Sequence, residues 1–86
     1  MAKRKFKNFD RKTMKSIDQA LSDLGWTSAD RMKMAQQMLD ENKISAAQMF
    51  ASQAVYAARR ENNPEGEAKA FAFFMKEYGQ LPRSFR

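Results

Sequence analysis

Apolar side chains recur at spacings of three and four along most of the chain, in blocks separated by breakers. Met14, Ile17, Leu21 and Leu24 form the first block and fall on one helix face. Asp10 stands where an N-cap belongs, with Phe9 before it and Met14 after it in the positions of a hydrophobic staple. Gly25 supplies a left-handed stop. This block predicts a helix over residues 10–24. Thr27 and Asp30 make the capping pattern T-x-x-D ahead of Met32, Ala35, Met38 and Leu39, which predicts a second helix over 28–41.

The third block, 45–61, is capped in this reading by Ser45 and differs in kind. Ala46, Ala47, Ala51, Ala54, Ala57 and Ala58 are spread around it with Met49, Phe50, Val55 and Tyr56 between them. Gln48, Ser52 and Gln53 supply its polarity until Arg59 and Arg60. A helix that is small and apolar nearly all round is central or covered by a partner. The fourth, 64–78, has Asn63 as cap, Pro64 at its first position and Glu65 and Glu67 in its first turn. It carries Ala68, Phe71, Phe74, Met75 and Tyr78 and ends at Gly79. The pattern predicts an all-α bundle of about four short helices over residues 10–79, preceded by a basic, mobile arm at 1–9 and followed by a non-regular basic tail at 80–86. A three-helix variant would fuse the second and third helices through Asn42 and Lys43.

Composition supports helix over sheet, since Ala, Met, Gln, Lys and Glu are plentiful while Val, Ile and Thr are scarce. At 86 residues the core is modest, and dimerisation is an expected way to bury more surface. The chain has neither cysteine nor histidine, which excludes disulfides, thiolate zinc sites and imidazole chemistry. No metal or cofactor is expected. No apolar run reaches the ~20 residues of a membrane span, and no apolar segment follows the basic start as in a secretory signal. A cytoplasmic chain without a membrane partner is expected.

Charge changes the picture most. Residues 1–15 hold seven basic side chains against Asp10, a sum of +6, while the remaining residues sum to zero. Lys3, Arg4, Lys5, Lys7, Arg11, Lys12 and Lys15 are thus candidate nucleic-acid-binding residues, interleaved with Phe6 and Phe9. Cations neutralise phosphates and release counterions, and aromatic rings stack on unpaired bases. The tail, with Arg83, Phe85 and Arg86, repeats this chemistry and extends the arm's surface, frays, or packs Leu81 and Phe85 as a lid on the core. Every cap and apolar period lies after Asn8, so the arm is expected to be dispensable for folding.

Two segments resemble DNA-binding patterns. Met38–Met49 is similar to the turn of helix-turn-helix domains, with Leu39 and Lys43 where that family usually has alanine and glycine. The resemblance implies that Gln48, Ser52 and Gln53 face a groove. Ala20–Ala35 resembles the helical part of ribbon-helix-helix repressors, which implies a basic strand ahead of it; residues 3–9 do not alternate as a strand does.

Candidate interface residues are Trp26, Phe71, Phe73 and Phe74. Trp26 is either a plug between the first two helices or an interface anchor. Phe73 points away from the face of Phe71 and Phe74 and would leave an apolar patch exposed, favouring a homodimer. The close carboxylates, Asp40 with Glu41 and Glu65 with Glu67, sit where helix ends place acids, and no nucleophile stands beside a base. No enzymatic activity is expected. Two functions remain: a nucleic-acid-binding accessory or regulatory protein using the arm on phosphates, or a protein-interaction module or inhibitor docking on an acidic protein partner. The second has the size and helical make-up common among phage-encoded effectors.

Overall fold

Four helices are set by their ends. The computed structural model describes residues 4–86, and Lys3 lies outside them. The helices are α1 (Arg11–Asp23), α2 (Ser28–Asp40), α3 (Ile44–Arg60) and α4 (Pro64–Tyr78), followed by a 3₁₀ turn at Arg83–Phe85. The described residues contain no strand.

Asp10 caps α1 by accepting the Thr13 amide at 3.1 Å. Thr27 and Asp30 form a reciprocal capping box at α2, and the Thr27 amide holds the Asp30 carboxyl below the usual carboxylate range. Asn63 caps α4 by accepting the Gly66 amide at 3.0 Å. Gly66 also permits a close approach: a Cβ there would lie 2.6 Å from Asn63 Nδ2 and 3.1 Å from Ser28 Oγ.

The first three helices stop in the same way. Gly25, Asn42 and Asn62 take left-handed backbone angles just past the helix ends. The next amide in each case, of Trp26, Lys43 or Asn63, donates back to the carbonyl of Leu21, Met38 or Ala58. This is the Schellman arrangement, and asparagine tolerates its left-handed residue better than other side chains do. Asn42 reverses the chain so tightly that α3 is under way at Ile44. Ser45 therefore lies inside the helix, and Lys43 occupies the cap position with no side-chain bond.

α3 is the central element and packs against α1, α2 and α4. Ala47, Ala51, Ala54, Val55 and Ala58 have no exposure at all. Their small side chains let the neighbouring helices come close. α4 touches α2 as well as α3, so more than one of its faces is covered. Phe73, expected at the surface, is only 7% exposed and packs beside Phe74 and Tyr78. Phe74 is wholly buried, and Phe71 is half-buried against Phe85. Trp26 is half-buried with its ring stacked on Phe50, centroids 6.0 Å apart. The two surfaces from which a homodimer was expected, α3 and the second face of α4, are thus covered within one chain. Leu24 and Met75 are the large apolar side chains that remain exposed among the described residues.

Arg31 is buried completely. Its guanidinium donates to Asp18 Oδ1 at 2.7 Å, the Trp26 carbonyl at 3.1 Å, Ser22 Oγ at 3.2 Å and the Gln53 carbonyl at 3.3 Å. Gln53, also fully buried, donates to the Met14 carbonyl at 2.9 Å. Arg60 closes the cluster through Asp18 and Ser22. These bonds tie α1 to α2 and α3 in place of the apolar contact that a longer core would supply. No buried side-chain polar atom among the described residues lacks a partner.

Candidate functional site

The segment before α1 is not the free arm that the sequence suggests, over the residues described. Phe6 stacks on Tyr78 with ring centroids 4.9 Å apart and meets Phe74 edge-on at 5.9 Å. Gln48, on α3 and nearly buried, grips the backbone of Lys7 from both sides. Its carbonyl accepts the Lys7 amide at 2.8 Å, and its amide donates to the Lys7 carbonyl at 2.8 Å. Arg4 pairs with Glu77 of α4 at 2.9 Å. An aromatic anchor, a two-sided amide clamp and an ion pair therefore lay residues 4–9 across α3 and α4.

The tail is held on the same side. Pro82 is buried, and Leu81 and Phe85 pack on the core cluster. Phe85 meets Tyr56 edge-on at 5.7 Å and lies under the Arg59 guanidinium at 5.4 Å. Arg86 Nε donates to the Leu81 carbonyl at 2.9 Å, which shapes the last turn. Two of the tail's readings hold together: it lids the core and it lies beside the arm.

Between arm and tail runs a cleft of about 580 Å³. Gln48, Ser52 and Tyr56 of α3 form part of its wall, with Phe6, Lys7, Asn8 and Phe9 from the arm and Arg83, Ser84 and Arg86 from the tail. Arg11 and Met14 of α1 complete it together with Pro82. Four of these residues are cationic and none is acidic. Among the described residues Lys7, Arg11 and Arg83 make no ion pair, and the Lys7 ammonium sits 5.7 Å from the centre of the Phe9 ring. Tyr56 is half-buried, and its phenol is pushed up from its ordinary value chiefly by burial, with Asp18 adding to the shift and Arg11 and Arg59 opposing it.

The six candidate cations among the described residues thus separate. Lys7 and Arg11 line the cleft, Arg4 is engaged with Glu77, and Lys5, Lys12 and Lys15 are exposed outside the lining. The structure adds Arg83 and Arg86, which the sequence offered only as a smaller copy of the arm's chemistry. The helix-turn-helix expectation fails on burial: Gln48, Ser52 and Gln53 face inward, two of them engaged with Lys7 and Met14, so α3 presents no reading face. The ribbon-helix-helix expectation lacks its strand, since residues 4–10 run as irregular chain into α1.

Among the described residues no group of His, Cys, Asp or Glu is placed to hold a metal ion, and no helix is long and apolar enough to cross a membrane. Comparison with known proteins finds no family model, no curated relative and no solved structure that matches this chain.

Proposed function

We propose that this chain is a small nucleic-acid-binding accessory protein that holds phosphates in the cleft between its N-terminal segment and its C-terminal tail. One observation carries the reading: Lys7, Arg11, Arg83 and Arg86, from opposite ends of the sequence, line one cleft with no acid among them. Cations gathered without counter-charges repel one another, and a polyanion relieves that repulsion while releasing its own counterions. Lys5, Lys12 and Lys15 extend the attraction beyond the cleft. The competing reading, a module that docks on a protein through an apolar anchor such as Trp26 or Phe73, loses Phe73, which is turned inward, and keeps Trp26 half-buried against Phe50.

A binding panel tests the proposal. Full-length protein is titrated against labelled duplex DNA, single-stranded DNA and RNA at low salt, and recovered from cells with and without nuclease. Binding to at least one nucleic acid, with affinity falling steeply as salt rises, is the expected result. Absence of binding to all three at ~50 mM salt removes the proposal, because non-specific phosphate binding is strongest there.

A further inference from the structure

The cleft has a shape and a lining that distinguish between nucleic acids. Resting on the nucleic-acid reading above, we infer that it takes a single strand rather than a duplex, with backbone phosphates against Lys7, Arg11, Arg83 and Arg86 and a base stacked on the rings of Phe9 and Tyr56.

The rings argue first. Phe9 and Tyr56 are both half-buried and both line the cleft. Phe6 also borders it, but its ring is engaged by both Tyr78 and Phe74, whereas Phe9 makes no ring–ring contact among the described residues and has the Lys7 ammonium 5.7 Å from its centre. Phe85 abuts Tyr56 edge-on and so fixes its ring. A base–aromatic stack needs a base free of its neighbours, as in a single strand. A duplex keeps its bases stacked inside and offers phosphates and groove edges, which leaves Phe9 and Tyr56 with nothing to meet.

Shape argues second. The site is concave, bounded by arm and tail, and its volume of about 580 Å³ lies in the range of small-ligand clefts. Duplex readers insert a helix or a ribbon into a groove. Here Gln48 and Gln53 of α3 are turned inward and engaged, and the described residues contain no strand. Polar groups of Asn8 and Ser84 line the cleft as well, within the same walls as the rings, and can meet a base edge.

Anchoring argues third. The clamp of Gln48 on Lys7 fixes the arm before any ligand arrives. A fixed wall spends less ordering entropy on binding than a free arm does.

The test compares a labelled oligothymidine with a duplex of the same length, by anisotropy at low salt, for the full chain and for Phe9→Leu, Tyr56→Leu and Tyr56→Phe. The single strand should bind roughly tenfold or more tightly than the duplex. Phe9→Leu and Tyr56→Leu should each lose roughly tenfold on the single strand, leave duplex affinity unchanged and keep the salt slope, while Tyr56→Phe retains affinity. Thermal melts by circular dichroism run in parallel; if Tyr56→Leu fails to fold, Phe9→Leu decides. Equal affinity for the two forms, or a single-strand affinity unmoved by Phe9→Leu, overturns the inference while leaving the nucleic-acid reading intact. Binding to neither form overturns both.

Discussion

Arg31 is the side chain on which the helix packing depends most. It carries a full charge into the interior from α2 and satisfies it on Asp18 and Ser22 of α1, Trp26 of the turn and Gln53 of α3. Removing one partner of such a pair leaves the others desolvated and unmatched. Arg31→Ala should therefore cost about 3 kcal/mol or more in urea unfolding, and lysine should not rescue it, because one ammonium cannot reach the same fork of acceptors. Arg60 reaches the same Asp18, but its side chain is 53% exposed. Arg60→Ala should cost under about 1 kcal/mol. Arg31 shares a helix face with Ala35 and Met38, but an arginine in such a stripe does not announce the acceptors that it meets on other helices. Tyr78 offers a second check, through pH. Burial pushes its phenol up to about 12 from an ordinary 10.0, with Arg4 pulling it down and Glu77 pushing it up. Between those values the unfolded chain gives up a proton that the native chain keeps, so stability falls as pH rises from about 10 to about 12 and is unaffected by this group below about 10. Denaturant melts across that window should show the fall, and Tyr78→Phe should lessen it, with the raised Tyr56 phenol contributing the remainder. An equal slope in the variant would mean that the phenol is not protected.

At the scale of elements, the N-terminal segment behaves as a fifth packed piece. Deleting residues 1–8 removes the Phe6 ring from Tyr78 and strips both partners from the nearly buried Gln48 amide. A stability loss of roughly 2–4 kcal/mol is expected in urea melts. Stability unchanged by the deletion would show that the segment is not docked in solution. All four helices were legible in the sequence: three have a periodic apolar face, the alanine-rich third is apolar nearly all round, and Gly25, Asn63 with Pro64, and Gly79 break the chain after three of them. Gly25, Thr27 with Asp30, and Asn63 with Pro64 each announce an end by chemistry that has one common use. The stops at Asn42 and Asn62 were less legible, since asparagine serves equally as a cap, a turn or a surface residue. The docked arm was not legible at all. An irregular segment leaves no period, and the partners of Phe6 lie more than sixty residues away in the chain. Ser45 misled for the opposite reason: its local signal is good, but the turn at Asn42 starts the helix before it.

For the whole molecule, the basic excess was read correctly as an N-terminal concentration, but its destination depended on the fold. Net charge belongs to the sequence; the cleft exists because the tail, lidded onto the core by Leu81 and Phe85, ends beside Lys7 and Arg11. The central claim is that arm and tail act as one phosphate-binding site, and salt dependence tests it most directly. Affinity for a single strand is measured across a range of salt for the full chain and for Lys7→Gln, Arg83→Gln and, as a control away from the cleft, Lys69→Gln. Each phosphate contact contributes about 0.7 to the slope of log affinity against log salt for a single strand. Lys7→Gln and Arg83→Gln should each lower the slope by about that amount, and Lys69→Gln, exposed on α4 near Glu65, should leave it alone. A slope that falls for Lys7→Gln but is unmoved by Arg83→Gln would contradict the account, because the tail would then take no part in holding the strand.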